Sequence, residues 1–337
     1  MAICPDVEGP HGGDRLVRCL ALAEELSARG VSPTFICDTA PLPWARLQIE
    51  ARGLDLVPPP SAADGYASLL DRLEVDAVVL HPPPSGTDVD TAVPATGRPT
   101  LAIVDGAARS AGAHVVVDPN IEARHERRTA ADGPTVLAGV EYALVRNDVL
   151  ANRPISPPQR RSVEVPRVTA LFDEADWAAV GPRVAQTLAA TGRSVEATFV
   201  TPDEQAGRDI AAVRSAPHQR IEVAAPSWRL HERLARSDVV IGAARHSTYE
   251  WLCMGASLCL VWTAEEQVER YRQLMVRRVV VGLGSAEELR ADAAAGTERM
   301  ARLLSDARER TRLGEAGWRL VDGLGRARVA DALLALL

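Results

Sequence analysis

The stretch that decides the fold is Asp238-Val-Val-Ile-Gly-Ala-Ala-Arg245-His246-Ser247-Thr248-Tyr249-Glu250. Its apolar first half is typical of a buried strand, and a short turn then leads into a helix that we expect to begin near Ser247. The same order of apolar run and amphipathic helix recurs along the chain. In the first half, helical spacing over 15–28 alternates with apolar runs at 34–37, 77–80, 101–104 and 115–117. This alternation predicts βαβ units, and therefore parallel sheets that are buried on both faces.

A proline-rich stretch, 151–166, interrupts the pattern and is typical of a linker. The alternation then restarts, with strands expected at 167–172, 194–200, 219–224, 238–243, 257–262 and 278–282. Helices are expected at 176–191, 204–214, 228–236, 247–254 and 265–277, and the tail from about 286 is expected to be helical to the end. The fold class is thus α/β, with two Rossmann-like parallel-sheet domains that face a central cleft. We expect these domains at 1–150 and 167–325, followed by a C-terminal helix at 326–337.

The composition excludes several classes of protein. The 337 residues carry a formal net charge of −7, which argues against a general nucleic-acid binder. No run of 18 apolar residues predicts a membrane span, and the N-terminus lacks the pattern of a secretion signal, so we expect a cytoplasmic protein. The five cysteines form no CxxC pair and predict buried thiols. We expect no metal site and no cofactor.

The segment Gly9-Pro10-His11-Gly12-Gly13-Asp14-Arg15 joins a loop of small residues to a helix. One interpretation is a ligand site, because backbone N–H groups at a helix start can receive an anion and glycine permits close approach. The other is a tight turn that is capped by Asp14. The spacing alone leaves both interpretations open.

The turn at 245–250 also has two interpretations. The hydroxyl and N–H groups of Ser247 and Thr248 suit a phosphate, and Glu250 suits a ribose diol. Alternatively, Ser247 and Glu250 have the spacing of a capping box and would only begin the helix. Of the histidines, His246 and His11 are candidates for a chemical role, and His81 is a weaker one.

Three segments stand in a fixed order, and single polar residues lie between them. The segments are Arg18-Cys-Leu-Ala-Leu-Ala23, Gly139-Val-Glu-Tyr142-Ala-Leu-Val-Arg146 and Val321-Asp-Gly323-Leu-Gly325-Arg-Ala-Arg328, with Asp105, Asn120, Glu250 and Gln267 between the first and the last. Over nearly the whole chain they resemble the UDP-sugar hydrolase of the pseudaminic acid pathway and the related spore-coat polysaccharide biosynthesis proteins. That family has a GT-B fold and is related to the muramyl-peptide N-acetylglucosaminyltransferase. The resemblance implies a GT-B fold and a nucleotide-sugar ligand.

The resemblance also implies site residues. In that family, water attacks the anomeric carbon and UDP leaves, with the histidine of a GxGHxxR motif as the implied base. Here Arg15 occupies the position of that histidine, and an arginine keeps its proton near neutral pH. His11 or Asp14 would therefore act as the base, and Arg15 or Arg245 would stabilise the departing diphosphate. The residues expected at the sugar are Gly12, Gly13, Arg18, Asp105, Asn120, Tyr142 and Arg146. Those expected at the nucleotide are Arg245, His246, Ser247, Thr248, Glu250 and Gln267.

Arg245 replaces the glycine of a family GlySerThr turn. Its guanidinium would either bind a diphosphate through bidentate, charged hydrogen bonds or occupy the pocket itself. Three functions follow. The first is a UDP-sugar hydrolase of carbohydrate or secondary-metabolite biosynthesis with a rearranged base. The alternatives are a GT-B glycosyltransferase, in which an acceptor hydroxyl replaces water, and a non-catalytic binding or partner protein. The expected partner is a small-molecule nucleotide sugar, joined under the last alternative by another protein.

Overall fold

The computed structural model describes the chain except for residues 10, 107–111, 124–125, 130–132, 160–162, 173 and 228, and without the side chains of 126–129, 174–175 and 179. The chain divides into two compact units. The first consists of Met1–Asn147 together with Gly323–Leu337, and the second of Asp148–Asp322. The second unit therefore begins ahead of the proline-rich stretch, and the end of the chain returns to the first unit.

The first unit contains an eight-stranded sheet. Its strands are β1 (Ala2–Pro5), β2 (Thr34–Ile36), β3 (Asp55–Val57), β4 (Val78–His81), β5 (Thr100–Ile103), β6 (Val115–Asp118), β7 (Glu126–Thr129) and β8 (Thr135–Ala138). Their order in the sheet is β3-β2-β1-β4-β5-β6-β8-β7. All neighbouring strands are parallel except β7 and β8, which are antiparallel.

The second unit contains a six-stranded sheet in which every pair of neighbours is parallel. Its strands are β9 (Arg167–Ala170), β10 (Val195–Val200), β11 (Gln219–Ala224), β12 (Val239–Ala243), β13 (Leu258–Trp262) and β14 (Val280–Ser285). Their order is β11-β10-β9-β12-β13-β14. Because the order reverses beside β9, as it does beside β1 in the first unit, each sheet has the doubly wound arrangement.

Helices connect the strands of both sheets. They are α1 (Gly12–Ala28), α2 (Pro43–Glu50), α3 (Gly65–Arg72), α4 (Val89–Ala92), α5 (Asn147–Ala151), α6 (Glu174–Ala190), α7 (Glu204–Ala211), α8 (Leu230–Arg236), α9 (Ser247–Cys253), α10 (Val268–Val276), α11 (Ala286–Ala291), α12 (Ala294–Ser305), α13 (Ala307–Leu320) and α14 (Gly325–Leu334). Within the described part of the chain, no helix combines the length and the apolar character that crossing a membrane requires.

The α/β prediction with two Rossmann-like parallel sheets is confirmed. The sequence analysis did not predict the strands β1, β3, β7 and β8. Of these, β3 is short and half-exposed, and β7 consists of Glu126-Arg-Arg-Thr129, which has no apolar run. The tail from about 286 is helical, as expected, and is divided into α11, α12, α13 and α14. Asp306 accepts hydrogen bonds from the N–H groups of Arg308 and Glu309, so it ends α12 and starts α13 as an N-cap.

Apolar side chains from strands and helices form a separate core in each unit. The five cysteines are free and buried within these units, as their apolar surroundings predicted. Burial raises the pKa of the Cys253 thiol to about 11, so it stays protonated at neutral pH. Among the described residues, no group of three or more histidine, cysteine, aspartate or glutamate side chains is placed to hold a metal ion.

Candidate functional site

The loop between β1 and α1 depends on a glycine. A Cβ on Gly12 would lie 1.9 Å from the carbonyl oxygen of Val7, so only glycine lets α1 start against this loop. The helix takes His11 as its N-cap residue, and the interpretation of Asp14 as the N-cap is wrong. Asp14 instead lies in the first turn, where the helix dipole favours a carboxylate. His11, Gly13 and Asp14 are half-buried.

The side chain of Arg15 stabilises the conformation of this loop. Its Nε donates to the carbonyl oxygen of Asp6 at 2.6 Å, and its Nη2 lies 3.1 Å from Asp6 Oδ1. The same Nη2 also donates to the carbonyl oxygen of Glu8. With 4% of its side chain exposed, the guanidinium binds the loop and is shielded from solvent. The residue at the position of the family histidine is therefore part of the loop's internal structure.

A buried polar network lies at the carboxyl ends of β4, β5 and β6. Arg18 projects from α1, and its Nη1 lies 2.6 Å from Asp105 Oδ1 while its Nη2 lies 3.1 Å from Asn120 Oδ1. Asn120 Nδ2 in turn donates to Asp105 Oδ1 and to Asp118 Oδ1, both at 2.8 Å. His81 Nε2 lies 3.4 Å from Arg18 Nη1. Ligands of doubly wound sheets bind at this edge.

The ionisable groups of this network have pKa values that are shifted in different directions. Burial penalises the Asp105 carboxylate, but the charge of Arg18 outweighs this and holds its pKa far below the ordinary value. For Asp118, burial dominates and raises the pKa to about 6. Burial and the Arg18 charge together lower the pKa of His81 to about 3, so its imidazole is neutral at physiological pH. The network thus holds one fixed ion pair, Arg18–Asp105, beside a carboxyl group that titrates.

The structure brings together three residues expected at the sugar, Arg18, Asp105 and Asn120. Tyr142 instead packs in the apolar core of the first unit, and Arg146 lies half-buried after it. The sequence analysis missed Asp118 and undervalued His81. Each is the last residue of its strand, and a polar residue that ends a buried parallel strand is the signal that points to this edge.

In the second unit, Arg245 is engaged by an acidic residue from α6. Its Nε donates to Asp176 Oδ2 at 2.7 Å and its Nη2 to Asp176 Oδ1 at 3.3 Å, with both side chains 6% exposed. Thr263 Oγ1 donates to Asp176 Oδ1 at 2.7 Å, and Gln267 Nε2 donates to Thr263 Oγ1 at 2.9 Å. This network joins the turn after β12 to the turn after β13. No local motif marks Asp176 or Thr263, so the sequence analysis did not find them.

Helix α9 begins at Ser247, as expected, and the capping box, which was one of the two interpretations of this turn, does not form. The N-cap residue is His246, so Ser247 is the first residue of the helix, and no side chain caps it. A capping box does form elsewhere, between Ser285 and Glu288 at the start of α11. Of the residues expected at the nucleotide, Ser247 is half-buried, and the others are buried: Arg245, His246, Thr248, Glu250 and Gln267.

No family model matches this chain, and no curated protein matches it. Solved structures match it over nearly its full length. MurG of Acinetobacter baumannii is 13% identical over 99% of both chains, with a TM-score of 0.73. A putative UDP-N-acetylglucosamine 2-epimerase of Listeria monocytogenes is 11% identical over 99% of this chain and 95% of its own, with a TM-score of 0.68.

The spinosyn rhamnosyltransferase SpnG, in complex with thymidine diphosphate, is 16% identical over 97% of this chain and 98% of its own, with a TM-score of 0.63. At such identities the likeness shows the fold alone. The chain therefore has the GT-B fold that these nucleotide-sugar proteins share. The resemblance to the hydrolase family remains a prediction.

Proposed function

We propose that this protein is a GT-B glycosyltransferase that moves a sugar from a nucleotide-sugar donor to a hydroxyl group of an acceptor. The observation that carries the proposal is the chain-long likeness to a rhamnosyltransferase whose structure contains thymidine diphosphate. Fold alone does not determine function, so the site residues provide the second support. Both sheets have polar side chains at the edge where doubly wound folds bind ligands.

The second unit is the proposed nucleotide side. The turn after β12 offers the Ser247 hydroxyl, and Thr248, Glu250 and Gln267 are buried. Glu250 is proposed to accept hydrogen bonds from a ribose diol. Because Asp176 already engages the guanidinium of Arg245, we assign Arg245 to supporting this turn, with Ser247 and His246 nearest the phosphates.

The first unit is the proposed acceptor and sugar side. Asp105 is the part-exposed member of its network, and its charge is fixed by Arg18, so it suits hydrogen bonds from sugar hydroxyls. His11 lies half-buried at the start of α1, and it is the proposed general base. Asp14, one turn into the same helix, is the alternative base.

Hydrolysis of the donor is the second candidate, supported by the motifs that resemble the hydrolase family. In that reaction, a water molecule attacks the anomeric carbon in place of the acceptor hydroxyl group. The burial of Arg15 speaks against the ordinary chemistry of that family, because a guanidinium that holds Asp6 and Glu8 cannot remove a proton from water. The third candidate is a non-catalytic binding protein that has the same fold but does not catalyse a reaction.

Nucleotide binding is the first test. We expect UDP or thymidine diphosphate to raise the melting temperature in a dose-dependent manner, because a ligand at 100 times its Kd adds about 2.7 kcal/mol to the stability of the folded state. Release of nucleoside diphosphate from UDP- and TDP-sugars is then measured with and without a panel of acceptors. Release that requires an acceptor supports transfer, and equal release without one establishes hydrolysis. No stabilisation by any nucleotide at millimolar concentration would overturn both enzymatic readings.

The base is tested by His11→Ala. We expect turnover to fall by about 10²–10⁴-fold while the nucleotide still raises the melting temperature, since a general base acts on the reaction and not on donor binding. Asp14→Asn, at the alternative position, is the matched variant. Unchanged turnover in His11→Ala with a large loss in Asp14→Asn would move the role to Asp14.

A further inference from the structure

In the second unit, the carboxylate of Asp176 joins three segments that follow neighbouring strands. Asp176 lies at the start of α6, which follows β9, and it accepts hydrogen bonds from Arg245, which follows β12, and from Thr263, which follows β13. The strands β9, β12 and β13 are adjacent in the sheet, and the strand order reverses beside β9. The carboxylate therefore lies at the edge where doubly wound sheets bind ligands.

The charge of Asp176 determines the direction of the hydrogen bonds around it. An ionised carboxylate only accepts, so the Thr263 hydroxyl donates its single proton to Asp176 Oδ1. Thr263 Oγ1 then accepts from Gln267 Nε2, and Gln267 Oε1 accepts from the Thr263 N–H, each at 2.9 Å. Arg245 donates to both carboxylate oxygens. One negative charge thus orients the Thr263 hydroxyl, the Gln267 amide and the Arg245 guanidinium.

The network also supports the turn that leads into α9. Arg245 and Gln267 are both buried, and Ser247 at the end of the turn is half-buried. No side chain caps α9, and the Thr248 N–H donates to the carbonyl oxygen of Arg245 at 3.1 Å. Because Arg245 provides this backbone contact and is held by its side chain, the position of Ser247 depends on the pair that Arg245 forms with Asp176.

We propose that Asp176 is a positioning residue of the nucleotide site: it fixes the turn with Ser247 through Arg245, and the turn after β13 through Thr263. The inference rests on the proposed binding of a nucleotide sugar, and it adds a residue that is assigned no contact with the donor. A buried guanidinium without its carboxylate is strongly unfavourable, so the turn rearranges when the charge is removed. An amide is no substitute, because its NH₂ group would face an N–H of the guanidinium, a donor against a donor.

The first test measures the affinity for UDP and thymidine diphosphate by isothermal titration calorimetry. We expect Asp176→Asn to bind the preferred nucleotide about tenfold or more weakly than wild type. Arg245→Gln should weaken binding to a similar extent, and the double variant Asp176→Asn/Arg245→Gln should bind no more weakly than Arg245→Gln alone, because the two side chains act as one unit. Losses that add in the double variant would show that Asp176 acts independently of Arg245 and would overturn the proposal.

The second test uses the Thr263 hydroxyl and also serves if Asp176→Asn does not fold. Thr263→Val removes the hydroxyl and should weaken nucleotide binding several-fold, whereas Thr263→Ser keeps it and should restore the affinity of wild type. The matched control is Thr169→Val, which removes a buried hydroxyl that is hydrogen-bonded to Ser237 outside this network, and it should leave the affinity unchanged. Equal losses in Thr263→Val and Thr169→Val, or no rescue by serine, would reduce the role to general stability and reject the proposal.

The outcomes separate this inference from the proposed function. If wild type binds no nucleoside diphosphate, the proposed function fails and the inference fails with it. If wild type binds one and Asp176→Asn binds it equally well, the inference alone is rejected. Tighter binding by Asp176→Asn would also reject it, since the carboxylate would then hold Arg245 away from the phosphates. In transfer assays, Asp176→Asn should raise the KM for the nucleotide sugar and change kcat little, and a lower kcat at unchanged KM would contradict a positioning role.

Discussion

At the scale of single residues, the network around Asn120 shows how position decides ionisation. Asp105 and Asp118 both bind the Asn120 amide, yet the pKa of one is lowered and that of the other is raised. Arg18 lies 2.6 Å from Asp105 and supplies a positive charge there, whereas burial dominates at Asp118. A sugar ligand at this edge would therefore meet one permanent carboxylate and one that titrates.

This difference predicts how stability depends on pH. The Asp118 pKa is about 6 in the folded state and about 3.9 in the unfolded state, so the folded state binds more protons between these values. The contribution of Asp118 is thus greatest below about pH 4 and is lost as pH rises through 6, by on the order of 3 kcal/mol. We expect the free energy of unfolding of wild type, minus that of Asp118→Asn, to fall accordingly in urea titrations from pH 4 to 8. A difference that is constant over this range would contradict the raised pKa.

At the scale of elements, the loop between β1 and α1 is fixed by a close backbone approach and by Arg15. His11 is the N-cap residue that follows this loop, and Gly13 and Asp14 lie in the first turn of α1; all three are half-buried. The same loop contributes Asp6, Val7 and Glu8 to the wall of a cavity at the carboxyl ends of β1, β2 and β4. Its conformation therefore affects the position of the proposed base, His11, at the start of α1.

The two adjacent glycines should respond oppositely to alanine. Gly12→Ala places a Cβ 1.9 Å from the Val7 carbonyl oxygen, and we expect the free energy of unfolding to fall by roughly 1–3 kcal/mol or more. Gly13→Ala meets only the Trp44 ring, at 3.3 Å, and that part-exposed side chain can move. Because alanine is favoured over glycine in a helix by about 1 kcal/mol, Gly13→Ala should be neutral or stabilising. Urea unfolding measures both, and equal losses in the two variants would refute the close-approach argument.

At the scale of the molecule, the last helix belongs to the first unit although the second unit precedes it in sequence. Val329, Ala330 and Leu333 of α14 are fully buried in the core of the first unit. Arg29 Nη1 lies 2.5 Å from Asp331 Oδ1, and Arg326 Nη1 lies 3.3 Å from Glu24 Oε2. The chain thus passes through the second unit before the core of the first is complete.

Leu333→Ala tests this arrangement. We expect it to destabilise the first unit by about 2–5 kcal/mol, as is usual when a buried leucine is truncated, and to leave the second unit unaffected. Hydrogen exchange followed by mass spectrometry should show faster exchange in β1, β4 and α1 and unchanged exchange in β9 and β12. Leu324→Ala, at an exposed position just before α14, is the control and should change neither unit. Faster exchange in both units would show that the two units unfold together.

What the sequence determined by itself was the order and type of most elements, and hence the fold class. Apolar runs and helical spacing are local properties, so 219–224 and 247–253 lie where the pattern placed them. The order of the motifs also identified Arg18, Asp105 and Asn120 as candidate site residues, and in the structure these three side chains are hydrogen-bonded to one another.

Only the tertiary structure decided what the charged residues do. Arg15 faces the loop because Asp6 and Glu8 surround it, and Arg245 pairs with Asp176, which lies 69 residues away in the chain. The return of α14 to the first unit likewise depends on contacts between distant segments. A pattern of neighbouring residues specifies a helix or a strand, but the partner of a buried charge is set by packing, which no local periodicity contains.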